Sequence, residues 1–343
     1  MYRITKSKVE REGVMNIRSA RRIVLRSVLL LTVTCCLMVP SIWAQEKGYP
    51  SRSIEIILPS APGGTSDICT RVIAQELGVE WKVPIVITNI AGAAGLMGAS
   101  KVLKEKPDGY TLFSSSTSAL TFAIIESPNP PFDPFKDFTP IGNYGVAPVI
   151  FGVHSSSPSK TLPDIIKYAK ENPGKLTCGL SSVGRELHMN FELLKSAAGA
   201  NIKLIPYKGT GDLVAALLGK HIDMLVLSYV AFLPYLKSGE GRAVAITQKI
   251  PGVAIPTTAE VGYPRVNISL KSGFYAPSKV PKDIYDKLLV TFKKMVDTPS
   301  VAKKLEDSGV VVQYKAPSEV TQEIKEEWDL VTKFAEELGL KKK

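Results

Sequence analysis

The chain has 343 residues, 45% hydrophobic and 22% charged, with 26 glycines and 24 prolines. That composition fits a globular protein with a full core and room for two lobes of roughly 100–200 residues, and it excludes a disordered chain or a coiled coil. The net charge of +11 overstates the basicity of the folded part: residues 1–44 hold eight basic and two acidic side chains, leaving 35 basic and 30 acidic beyond them, with no basic stripe of interleaved aromatics to suggest a nucleic-acid surface.

The chain opens on a compartment signal. From Met15, the basic residues Arg18, Arg21, Arg22 and Arg26 precede an apolar run over 28–39 and then Pro40-Ser41-Ile42-Trp43-Ala44. This order predicts a secretory signal peptide over 1–44, with Met15 as an alternative start and cleavage after Ala44. The run is shorter than the ~20 residues that span a bilayer. The Arg21-Arg22 pair leaves twin-arginine and general export both open. Cys35 and Cys36 fall inside the signal, so the exported chain keeps Cys69 and Cys178, expected as two buried free thiols.

Beyond the signal, apolar β-rich runs alternate with helical patterns. Strands are predicted at 54–59, 84–88 and 110–114, with helices at 66–77 and 94–104 between them. The rhythm continues with strands at 149–153, 176–180, 203–206, 223–227 and 242–247, separated by helices at 162–170, 186–197 and 212–218. The last third is helical, over 282–296, 300–308 and 318–338. Strands separated by helices imply an α/β fold with parallel βαβ units and sheets covered on both faces.

Ligands of such sheets meet the protein beyond the carboxyl ends of the strands. Four of these ends are rich in small and hydroxyl residues. The first runs from Ser60 through Ala61, Pro62, Gly63, Gly64, Thr65 and Ser66 to Asp67, and the second holds Ser115, Ser116 and Thr117. The third holds Ser181, Ser182, Gly184 and Arg185, with His188 one turn into the following helix; the fourth holds Tyr207 and Lys208 before Gly209. Glycine lets backbone approach a ligand, and the first turn of a helix leaves N–H donors that attract an anion. Asp67 in a first helical turn also suits the helix dipole alone, and His188 either reaches a bound anion or packs as an ordinary side chain.

Signs of an enzyme are few. The chain lacks a Gly-x-Ser-x-Gly elbow and a phosphate-binding loop, and its three histidines, His154, His188 and His221, lack metal-ligand spacing. Neither a metal nor a cofactor is expected.

Several motifs, in order, resemble the tripartite tricarboxylate transporter receptors, the Bug family of periplasmic solute-binding proteins. They are Pro59-Ser60-Ala61-Pro62-Gly63-Gly64-Thr65-Ser66-Asp67, Pro107-Asp108-Gly109-Tyr110-Thr111-Leu112, the run from Phe132 to Ile141, Ile205-Pro206-Tyr207-Lys208-Gly209 and Gly273-Phe274-Tyr275-Ala276-Pro277. The resemblance implies a two-lobed, periplasmic-binding-protein-like (type II) fold with a ligand cleft, lobe 1 over 49–148 plus 272–343 and lobe 2 over 149–271. It also implies a periplasmic, monomeric, non-enzymatic receptor that holds a small organic carboxylate through loops 61–67 and 181–188. That receptor hands its ligand to a two-component membrane permease. A sensor-kinase receptor and a secreted hydrolase using Ser115, Ser181 or Ser182 are the alternatives.

The chain departs from the family pattern in places. Asn89-Ile90-Ala91-Gly92-Ala93-Ala94-Gly95 lacks the usual proline, and Ser60 replaces a phenylalanine. Arg185 stands where a small or polar residue is usual, so it either clamps a second carboxylate or points to solvent at the cleft rim.

Overall fold

The computed structural model describes residues 48–127, 129–181 and 183–337; the expected signal peptide and Ser182 lie outside them. Among the described residues the strands form two sheets. The first contains β1 (Ile54–Leu58), β2 (Ile85–Asn89), β3 (Thr111–Ser116), β4 (Phe138–Ala147), β10 (Leu270–Pro277) and β11 (Val311–Lys315), in the order β11-β4-β10-β3-β1-β2. The second contains β5 (Val149–His154), β6 (Thr177–Leu180), β7 (Lys203–Pro206), β8 (Met224–Ser228) and β9 (Gly241–Ile246), in the order β7-β6-β8-β5-β9.

Helices cover both faces of each sheet, so strands such as β5 and β8 read as largely apolar runs. In the first lobe, α1 (Thr65–Trp81) packs Cys69, Ile73 and Leu77 in one core with Ile54 and Ile56. The opposite face buries Ile57, Phe113 and Tyr275 with Val102 of α2 (Leu96–Lys104). Short helices α3 (Phe122–Glu126) and α4 (Pro134–Asp137) follow. In the second lobe, α5 (Leu162–Glu171), α6 (Glu186–Ala198), α7 (Thr210–Leu218) and α8 (Tyr229–Lys237) surround a sheet whose Val149, Phe151, Leu225 and Val226 are wholly buried. The chain closes with α9 (Lys282–Asp297), α10 (Pro299–Asp307) and α11 (Pro317–Glu337), the last burying Val320 and Ile324 under the first sheet. Cys69 and Cys178 are buried and unbonded, and burial pushes the Cys69 thiol up to about 12.

The sheets are mixed rather than wholly parallel. β1, β2 and β3 run parallel, as do β6, β7 and β8, but β10 is antiparallel to β3 and β4, and β5 is antiparallel to β8 and β9. The reason is the crossing between lobes: β4 runs into β5 through Pro148 alone, with no helix to turn the chain round.

β4 and β10 are absent from the strands predicted by apolar runs. β4 contains Pro140, Gly142, Asn143 and Gly145, residues that ordinarily punctuate turns. The glycines are needed for backbone approach: a Cβ at Gly273 would lie 2.3 Å from the Gly142 carbonyl oxygen, and one at Gly145 would lie 2.6 Å from that of Val311. No helix among the described residues is long and apolar enough to cross a membrane.

Candidate functional site

α1, α6 and α7 begin at one cavity without a side chain to cap them, and so does α2 after Gly95. α1 follows Gly64, α6 follows Arg185 and α7 follows Gly209, and none of the three makes a side-chain cap hydrogen bond. Away from this cavity Asp133 and Thr161 each accept a backbone N–H at their own helix starts, as Ser228 does at a helix that begins on the cavity wall. Uncapped first turns leave N–H donors, and the helix dipole adds partial positive charge there. Gly64, Arg185 and Gly209 all line the same cavity, about 340 Å³, where the two lobes meet.

The first-lobe wall is built from Ala61, Gly64, Thr65 and Ser66, and the second-lobe wall includes Ser181, Arg185, Tyr207 and Lys208. The walls touch. Thr65 donates a hydrogen bond to the Ser228 hydroxyl across the cleft, and a Cβ on Gly209 would come within 3.1 Å of the Ala61 methyl. Lys208 is exposed and has no ion-pair partner among the described residues.

Other predicted site residues are placed away from the lining. Asp67 is 4% exposed and spent on its own loop: it accepts the Gly63 N–H at 3.0 Å, the Arg71 guanidinium at 2.8 and 3.1 Å and the Asn89 amide at 3.1 Å. Burial pushes the Asp67 carboxyl up, but Arg71, the Gly63 N–H and Asn89 together outweigh it and hold it below the usual carboxylate range. Gly63, at φ 79, supplies the turn that Asp67 fastens.

His188 likewise turns to its own loop, accepting the Gly184 N–H on Nδ1 at 3.3 Å, with Nε2 3.8 Å from Glu192. Burial lowers its pKa against the pull of Glu192, so the ring is neutral at neutral pH. Thr117 donates to Glu327 at 2.5 Å, and the Ser115 hydroxyl is buried with no hydrogen-bond partner.

Arg185 does not point to solvent. It is 6% exposed, and its guanidinium donates from Nη2 to Ser116 at 2.5 Å and from Nε to Ser118 at 3.2 Å. Glu186 sits 3.5 Å from the same Nε. Ser116 is therefore an inter-lobe contact rather than a lining residue.

The lining also includes residues that the sequence did not single out. Glu186, Leu187, Ser228 and Ala231 contribute from the second lobe, and residues 91–95 form a further first-lobe wall. In that turn Ala93 and Ala94 hold φ of 46 and 51, a conformation L side chains rarely adopt. Two adjacent non-glycine residues held this way mark a turn imposed by its surroundings, and such outliers cluster at binding sites. The sequence departs from the family pattern in this same turn, at Ala91, and that was its one available signal.

Two α/β lobes meeting around a cavity ringed by helix N-termini define a two-lobed binding protein. The chain belongs to the tripartite tricarboxylate transporter family of receptors, whose pattern it matches over residues 69–340. It is 32% identical over 272 residues to the Bordetella pertussis protein BugT, covering 78% of this chain and 81% of that one. An R. palustris protein solved with adipate superposes with a TM-score of 0.81 at 28% identity, covering 85% of this chain and 98% of that one. MatC from Rhodopseudomonas palustris, solved with bound malate, superposes with a TM-score of 0.76 at 27% identity, covering 83% and 99%. The family and these relatives are receptors and binding proteins, not enzymes.

Proposed function

We propose that this protein is a periplasmic receptor that closes around a small organic carboxylate and delivers it to a two-component membrane permease. The observation that carries this is the convergence of uncapped helix N-termini, those of α1, α2, α6 and α7, on one cavity. Their N–H groups, with the Ser66 and Ser181 hydroxyls, suit an anion that brings its own acceptors. The structural relatives solved with adipate and malate favour a carboxylate. The chain, freed of residues 1–44 on export, would open and close about the β4–β5 and β9–β10 crossings, with lobe 1 over 49–148 plus 272–343 and lobe 2 over 149–271. Loops 61–67 and 181–188 are the proposed anchors.

The test is thermal unfolding of verified ligand-free protein against a panel of mono- and dicarboxylates that includes adipate and malate. A cognate ligand at a hundredfold over Kd stabilises the folded state by about 2.7 kcal/mol and raises Tm accordingly. A flat response across the panel removes the carboxylate assignment.

A further inference from the structure

Arg185 reaches out of its own lobe. It precedes α6 in the second lobe, yet both of its hydrogen bonds end on hydroxyls at the carboxyl end of β3 in the first, Ser116 at 2.5 Å and Ser118 at 3.2 Å. The two serines lie 2.8 Å from each other, and the Ser116 hydroxyl also approaches the Glu186 carboxylate at 3.5 Å. Four buried side chains, two from each lobe, thus form one network.

The receiving end is fixed from behind. Glu327 of α11 accepts from Thr117 and Thr121, each at 2.5 Å, and so pins the turn that presents Ser118. On the donor side, the buried Glu186 carboxylate keeps the guanidinium compensated; its Oε2 has no hydrogen-bond partner and relies on the Arg185 charge 3.5 Å away. Arg185 lines the cavity but Ser116 and Ser118 do not, so both bonds carry its guanidinium to acceptors outside the lining.

We infer that Arg185 is the inter-lobe latch of this receptor, a positioning residue that holds the closed form through Ser116 and Ser118 and leaves ligand contact to the helix N-termini. The inference rests on the closing-receptor function proposed above. Because the latch is independent of what fills the cavity, it contributes equally to the affinity of every ligand. A guanidinium that instead clamped a second carboxylate would contribute only to ligands that carry one.

The Ser116→Ala/Ser118→Ala double variant separates the two roles, since it removes the latch without altering the lining. For the latch, X-ray scattering of the ligand-free variant shows a larger radius of gyration than wild type. Calorimetry shows mono- and dicarboxylates weakened by the same factor, about tenfold. If scattering and affinities both stay at wild-type values, Arg185 is not a latch. The same holds if an Arg185→Gln/Glu186→Gln variant loses only dicarboxylates. Should the serine variant unfold, Arg185→Lys serves in its place: it keeps the charge beside Glu186, but one ammonium cannot reproduce the two-pronged reach, so the same expansion is expected. If no carboxylate binds wild type, the proposed ligand class fails, while the ligand-free scattering still decides the latch.

Discussion

The loops at 60–67 and 181–188 both leave the carboxyl end of a strand and feed an uncapped helix into the same cavity, but they are fastened differently. The first is tied mainly within its own lobe, by Asp67 to Gly63, Arg71 and Asn89, with the Thr65–Ser228 bond as its one tie across the cleft among the described residues. The second is tied mainly across the cleft, by Arg185 to Ser116 and Ser118, and internally by the weaker Gly184–His188 bond at 3.3 Å. A loop fastened internally keeps its shape whether the lobes are together or apart. One fastened across the cleft has its full shape only when they meet. Half of the site is therefore built in advance and half is assembled on closure, which is how a receptor couples binding to movement.

The largest expected effect breaks the prebuilt half. Asp67→Ala leaves the Gly63 N–H, the Asn89 amide and Arg71 without their acceptor. Buried hydrogen bonds to a charged group set the cost at about 3 kcal/mol, tempered because Arg71 is half exposed. Urea unfolding should show this loss at pH 7, together with weaker binding of any cognate ligand. The loss should also depend on pH. The folded pKa of Asp67 is depressed, so its stabilisation is fully present above the unfolded value of about 3.9 and is lost as pH falls through the folded one. The gap between wild type and Asp67→Ala should therefore close in strong acid. A gap that stays constant down to pH 2.5 would mean that charge plays no part in fastening this loop.

A smaller effect tests the second loop. His188 holds that loop's backbone, neutral and turned to the Gly184 N–H. His188→Ala should cost about 1 kcal/mol of stability and change ligand affinity little, because no contact with the cavity is lost. Its depressed pKa means the ring's contribution is present above the unfolded value of about 6.5 and lost as pH falls through the folded one. A large, ligand-selective loss of affinity in this variant would return His188 to the binding surface and weaken the contrast between the loops.

How much of this was legible in the sequence follows from what each feature depends on. Runs such as Ile54–Leu58 and Met224–Ser228 announce buried strands because, apart from Glu55 and Ser228, both their faces are apolar. The loops after them were legible because glycine and hydroxyl residues have a backbone use at strand ends. β4 and β10 were not, since Gly145 and Gly273 serve close strand approach there while resembling turn residues. Side-chain direction was hidden as well: spacing placed Asp67 and His188 beside the cavity but not which way they face. Arg185 finds its acceptors 67 and 69 positions away in the chain, a pairing that only the folded lobes create.

The turn at 91–95 adds a third way of holding a wall, and the smallest expected effect. No side-chain bond fastens Ala93 or Ala94; their left-handed conformation is imposed by the packing around Gly95, where a Cβ would meet Ala119 at 3.1 Å. Glycine at position 94 would relieve the clash between Cβ and backbone, about 1–2 kcal/mol, but it also frees the unfolded chain, which costs about 0.4–1 kcal/mol in return. The net expectation for Ala94→Gly runs from no change to a gain of about 1.6 kcal/mol, read as a small rise in Tm without ligand. Affinity should not rise with it, because a looser turn must be ordered again when the cavity fills. A clear loss of stability would show that alanine is at ease in this turn. The first-lobe side of the cavity would then owe its preformed shape to Asp67 alone.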